Sequence, residues 1–149
     1  MMPDDTMPHD TESDQTESDD VTQIRTLIDR WAEAVRVGDL DAVVADHSPD
    51  IVMFDVPPPD NGVRGIDEYR QTWPPFFEWQ AAGATFDIVE ANITAGNDVA
   101  FANMLLRCGT AEDLAGHPDR RLRLTIGLRK EDGRWTVTHE HHSFPLDIE

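Results

Sequence analysis

Basic residues are scarce in this chain: twelve Lys and Arg, with Lys130 the only lysine, stand against thirty Asp and Glu, for a formal net charge of -18. Phosphate backbones and anionic membrane surfaces would be repelled by such a surface, so neither nucleic acid nor a membrane is expected as a partner. Cysteine is almost absent as well. Cys108 alone excludes an intrachain disulfide and a cysteine-based zinc site, and its place inside an apolar run points to a buried thiol rather than a nucleophile. No apolar run is long enough to span a bilayer, and no charged-then-apolar leader opens the sequence, so a soluble cytoplasmic protein is expected. Nor is there a glycine-rich nucleotide fingerprint, so no organic cofactor is expected.

What is present divides into two unequal parts. Residues 1–20 hold eight Asp or Glu, no Lys or Arg and the near-repeat TESDQTESD. Such a stretch cannot bury enough apolar surface to offset its conformational entropy, and it is expected to be a disordered acidic tail. Residues 21–149 suffice for one domain with a sizeable core. Val21, Ile24, Leu27, Ile28, Trp31 and Val35 recur at helical spacing, with Asp19 and Asp20 in place as caps. Gly38 ends this helix, and Asp39 begins a shorter one carrying Leu40, Val43 and Val44, which His47-Ser48-Pro49 closes. A third helix is expected over Ile66 to Trp79, interrupted or kinked by Pro74-Pro75, with Tyr69, Trp73, Phe76 and Phe77 forming core or a pocket wall.

Between the second and third helices lies Asp50 to Gly65, DIVMFDVPPPDNGVRG. Ile51 to Phe54 reads as a short strand, and the prolines after Val56 forbid its continuation. Asp55 therefore stands at the rigid exit of an apolar element. A carboxylate there can serve as a general base, or it can simply accept N–H bonds from the turn that follows.

The rest is strand-like: Phe86 to Ile93, Val99 to Cys108, Arg121 to Lys130 and Arg134 to Phe144, separated by turn signals and by a polar loop from Gly109 to Asp119. In the third of these, Leu122, Leu124, Ile126 and Leu128 share one face, while Arg121, Arg123, Thr125, Gly127 and Arg129 share the other. Alternation does not say which face is inside, so Arg123 either lines a cavity, pairing with Asp55 or an anionic group, or decorates the surface. Strict alternation in the last strand puts His139 and His141 on one side and Glu140 and His142 on the other. The first pair is expected to line the pocket without a metal, or else to be satisfied structurally beside Trp135 and Val137. Helices followed by a meander make an α+β plan, three N-terminal helices on one side of a curved, mostly antiparallel sheet.

The helix ending in Val37-Gly38-Asp39-Leu40-Asp41, the Asp50–Asp55 strand, the Gly65-Ile66-Asp67-Glu68-Tyr69 helix start and the terminal Gly133-Arg134-Trp135 with His139-Glu140-His141-His142-Ser143-Phe144-Pro145 together resemble the NTF2-like superfamily. More narrowly they are similar to its SnoaL-like and DUF4440 branch, which is related to ketosteroid isomerase. The resemblance spans about Asp20 to Pro145. It implies a cone of helices on a curved sheet, a homodimer through the outer face of the sheet, and an apolar pocket between sheet and helices. It also places Asp55 where ketosteroid isomerase keeps its general base. Trp31 stands at that enzyme's tyrosine position and Thr125 at its protonated-acid position, so both oxyanion partners are replaced. The expectation is a pocket protein acting as an isomerase or cyclase on a small apolar carbonyl compound. Asp55 would take the proton, with Trp31, Thr125, His139 or His141 as donors. The alternative is a non-catalytic ligand-binding or dimerisation module.

Overall fold

The computed structural model describes residues 3–146, with side chains from Asp19 onward. The expectation of disorder for residues 1–20 thus falls almost wholly outside the residues whose side chains are described. Helix α1 is Pro3–Val37 and α2 is Leu40–Val44. Helical backbone passes straight through Asp19 and Asp20, so these residues are not caps. Asp20 instead reaches the sheet, accepting from Lys130 Nζ at 2.9 Å and Trp135 Nε1 at 3.2 Å. Asp39 does cap α2, taking a bond from the backbone N–H of Ala42.

Strand β1, His47–Phe54, begins earlier than expected, since His47 to Pro49 are already extended. The loop after it contains a two-residue strand, β2, Val63–Arg64, paired antiparallel to β1. The third helix is two helices, α3 (Ile66–Gln71) and α4 (Trp73–Ala81), which meet at Thr72. Of the two expected outcomes the structure shows the interruption, placed at Thr72, and not a kink at Pro74-Pro75. The two prolines occupy the first turn of α4, where a missing N–H costs nothing and a fixed φ suits the helix. The long strands are β3 (Ala84–Ala95), β4 (Val99–Thr110), β5 (Leu122–Glu131) and β6 (Arg134–Ser143). A short helix, α5 (Ala111–Gly116), with a Thr110/Asp113 capping box, replaces the expected polar loop.

The six strands run in the order β2-β1-β6-β5-β4-β3, antiparallel except where β1 lies parallel to β6. The α+β class expected from the sequence is the one observed, with helices on one face of a curved sheet. Leu122, Leu124, Ile126 and Leu128 point into the core together with Ile24, Ile28, Trp31 and Val35 of α1. Hydrogen bonds tie the layers: Arg36 Nη1 donates to Phe86 O at 3.2 Å, and Gln80 Nε2 to Val35 O at 2.7 Å. Among the described residues no helix is long and apolar enough to cross a membrane.

One irregularity in the sheet matters for everything that follows. Gly127 pairs with His139 and Leu128 with Val137, which leaves Thr138 as an extra residue without a partner on β5. A β-bulge of this kind shifts the alternation by one residue. Trp135 and Val137 face inward before it, and Glu140 and His142 face inward after it.

Candidate active site

Between α4 and the inner face of the sheet lies a cavity of about 370 Å³, at the lower end of the range typical of small-molecule pockets. The first turns of α4 give it Trp73, Pro75, Phe76 and Trp79. The sheet adds Phe86, Cys108, Leu122 and His142, and the chain beyond β6 adds Phe144. Asp55, Val56 and Pro57, at the exit of β1, close one end beside Thr72. The aromatic rings hold one another edge to face: Trp73 and Phe76 at 5.4 Å, Phe76 and Phe86 at 5.5 Å, Phe76 and Trp79 at 5.4 Å.

Only a few polar groups interrupt this lining, chiefly Asp55 and His142. The Asp55 carboxylate does accept the bond expected of a turn residue, from the backbone N–H of Val56 at 2.8 Å, and it faces the cavity as well. Its charge reaches two neighbours. Burial and the Asp55 charge push the Cys108 thiol up to about 12, so the cysteine is a neutral wall of the cavity and not a nucleophile. Burial opposes charge on His142, but the hydrogen bond and charge of Glu140, joined by the charge of Asp55, outweigh it and raise the imidazole above its ordinary value.

Behind His142 sits a network sealed from solvent. Glu140 is completely buried, and its two oxygens are divided between partners. Oε1 accepts from His142 Nε2 at 2.9 Å. Oε2 accepts from Tyr69 Oη at 2.7 Å and lies 3.0 Å from His47 Nε2. The other nitrogen of His47 is 2.8 Å from Ala45 O, and the Tyr69 hydroxyl accepts in turn from Trp31 Nε1 at 3.3 Å. Desolvation works against a carboxylate here, yet the bonds and charges of His142 and His47 overcome it and pull Glu140 down to about 2. Burial and the Glu140 charge drive the Tyr69 hydroxyl the other way, well above its usual range. Glu140 is therefore a fixed anion that anchors His142 by Nε2. Among the described residues Nδ1 of that ring has no protein partner, and the ring lines the cavity.

The structure sorts the residues expected from the sequence. Asp55, Trp73 and Phe76 line the cavity. Tyr69 is fully buried beneath it and bonds to Glu140, while Phe77 stacks behind Trp73 at 6.1 Å. Trp31 points its N–H at Tyr69 rather than at a ligand. His139, His141, Thr125 and Arg123 are all on the outer face. His139 Nδ1 is 2.8 Å from Val52 O, both histidine rings pack against Phe54, and Arg123 Nε donates to Ser143 Oγ at 3.2 Å instead of pairing with Asp55. The physical cause for the histidines is the Thr138 bulge, which exchanges the two faces of the strand. Strict alternation puts Glu140 and His142 on the opposite face from the expected pocket pair, and His47 stands in sequence at the close of the second expected helix, a metal ligand only if the fold brings it near the other histidines. A glutamate flanked by histidines in an apolar strand was the available signal, because such a carboxylate is stable only if it is bonded on both oxygens. Among the described residues no three His, Cys, Asp or Glu side chains are arranged to hold a metal ion.

A model of the SnoaL-like domain matches residues 24–147. An NTF2-like protein of unknown function from Pseudomonas putida KT2440 is 34% identical, with 91% of this chain and 90% of that one aligned at a TM-score of 0.74. An NTF2-like protein with a cystatin-like fold from Novosphingobium aromaticivorans superposes with a TM-score of 0.72 at 17% identity, over 90% of this chain and 87% of that one. A candidate ketosteroid isomerase from Shewanella frigidimarina NCIMB 400 does so with 0.65 at 21% identity, over 79% and 92%. At those last two identities the likeness is one of fold alone. No protein of curated function matches the chain.

Proposed function

This chain belongs to the SnoaL-like family of the NTF2-like superfamily, and from that premise we propose that it is a cofactor-independent isomerase or cyclase that moves a proton on a small, largely apolar carbonyl compound. The observation that supports this most directly is that Asp55 and His142 open into one apolar cavity from opposite origins, the exit of β1 and the end of β6. Asp55 takes a proton from the carbon next to the carbonyl, and the His142 imidazolium donates through Nδ1 to the oxygen on which negative charge develops. Glu140 favours the charged form of His142 and fixes its ring, so the donor is oriented before the substrate arrives. The histidine replaces the tyrosine and protonated acid that ketosteroid isomerase uses for the same purpose. The aromatic wall excludes water, which strengthens both interactions. The same proton returned to a different carbon of the conjugated enolate gives isomerisation, whereas attack of the enolate carbon on a second carbonyl of the same molecule breaks that C=O π bond, and the new alkoxide takes up the proton to complete ring closure.

The test is deuterium uptake from D2O at the carbon beside the carbonyl of an apolar ketone such as 2-tetralone, followed by proton NMR. The protein should accelerate uptake without any additive, and Asp55→Asn should lower the rate by about 10²–10⁴-fold. Binding of the ketone without faster exchange would mark the protein as a ligand-binding module of the same fold.

The partner copy implied by the family resemblance is part of the same proposal: a homodimer formed through the outer face of the sheet. Phe101 on β4 is opposite Gly127, which is opposite His139, whose ring meets Phe54 at 5.3 Å. Phe54 and Phe101 are both large and solvent-exposed, so this stripe is costly to leave uncovered.

A further inference from the structure

A second cavity, about 580 Å³, lies outside the first, and the two share Asp55, Pro57, Thr72 and Pro75 as lining. Those four residues stand between the two cavities, Asp55 among them. The two sides differ in chemistry. Inside are aromatic rings and the His142 imidazole. Outside are Pro57 to Pro59, Glu68 and Gln71. Glu68 Oε1 is taken by the backbone N–H of Arg64 at 2.9 Å, and Oε2 has no protein partner among the described residues. Gly62 fixes the outer wall against β1: at φ +80°, a Cβ there would lie 2.6 Å from Met53 O. The outer chamber is a surface recess: Pro57 to Pro59, Glu68 and Gln71 are all exposed, and Gly62 holds one wall against β1.

We infer that the substrate is bipartite and passes between the two cavities at Asp55, with an apolar ring body in the inner cavity, the reacting carbon beside Asp55, and a tail bearing hydroxyl or amine donors in the outer chamber against Glu68. The inference rests on the proposed reaction chamber and adds the class of tail it admits. Two carboxylates, Asp55 and Glu68, flank the path of the tail. Hydrogen-bond donors and cations satisfy them, whereas a carboxylate or phosphate tail meets like charge and no compensating cation among the lining residues.

The probe set is a naphthalene ring carrying a short alkyl tail that ends in an amine, a hydroxyl, a methyl or a carboxylate, with binding read by quenching of tryptophan fluorescence. The amine tail is expected to bind about tenfold tighter than the carboxylate, with the hydroxyl between them. Glu68→Gln should shrink that ratio to about threefold. Asp67→Asn, the removal of a neighbouring exposed charge outside both cavities, should leave the ratio as it is. A preference unchanged in Glu68→Gln, or reduced equally by Asp67→Asn, would mean that only the general negative charge of the protein is at work, and the inference falls. Tight binding of the methyl-ended probe with no dependence on the tail overturns the outer chamber while leaving the inner cavity intact. Failure of every naphthalene to bind overturns both.

Discussion

His142 and Glu140 are joined side chain to side chain at 2.9 Å although they stand two residues apart on one strand, because both follow the Thr138 bulge and both turn inward. The pair sets a pH window for stability. Glu140 is lowered in the folded state to about 2 from 4.5, so its contribution is present above the unfolded value and is lost as the pH falls from 4.5 towards 2. His142 is raised above 6.5, so its contribution is complete below that value and is lost as the pH rises through the folded value. Stability should therefore be greatest between about pH 4.5 and 6.5 and decline on both sides. Urea denaturation across pH 3 to 9 reads this directly, and Glu140→Gln should cost about 3 kcal/mol or more at pH 6 and flatten the profile.

Tyr69→Phe removes one of the bonds to a buried carboxylate and leaves the Trp31 N–H without its acceptor. Its ring keeps filling the same space, so the loss is polar only. A destabilisation of about 1–3 kcal/mol is expected by thermal or chemical unfolding. The absence of any loss would mean that His47 alone satisfies Glu140 Oε2.

The outer-face stripe has its own readout. Phe101→Ser together with Phe54→Ser should shift the protein from dimer to monomer in sedimentation equilibrium, with near-native circular dichroism, since both side chains are exposed in the single chain. A wild type that sediments as a monomer refutes the dimer.

Gly62→Ala puts a methyl group 2.6 Å from the carbonyl oxygen of Met53, with a φ that alanine tolerates poorly. The loop must move, and the outer chamber moves with it. Stability should fall by about 1–3 kcal/mol, and the tail preference of the naphthalene probes should weaken even where the methyl-ended probe still binds.

Cys108 offers a check on the cavity itself. A thiol pushed up to about 12 is almost wholly protonated at pH 8, so alkylation by iodoacetamide should be far slower than for a free cysteine. A ring compound that fills the cavity should slow it further, whereas Asp55→Asn, by removing the charge that helps to raise the thiol, should speed it. Alkylation at the rate of free cysteine would show that the cavity wall is open to solvent.

By itself the sequence determined the parts of this protein that depend on local periodicity. The apolar spacing of Val21 to Val35 makes an amphipathic helix, and the clean alternation of Leu122 to Leu128 makes a strand with one buried face. The prolines after Asp55 end β1. The position of Asp55, just past the end of β1, was legible because it ends an apolar strand in a segment where proline rules out most alternatives. Tertiary structure decided what lies opposite it. Period-two reasoning assigns every side chain of a strand to a face by counting, and a single unpaired residue at Thr138 reverses the count. No local preference marks that residue, since the bulge exists in the pairing of β5 with β6 and in neither strand alone. The reversal turns His139 and His141 outward, buries Glu140 and His142, and brings His47 and Tyr69, from 93 and 71 residues away in the chain, to one oxygen, Oε2, of a buried carboxylate.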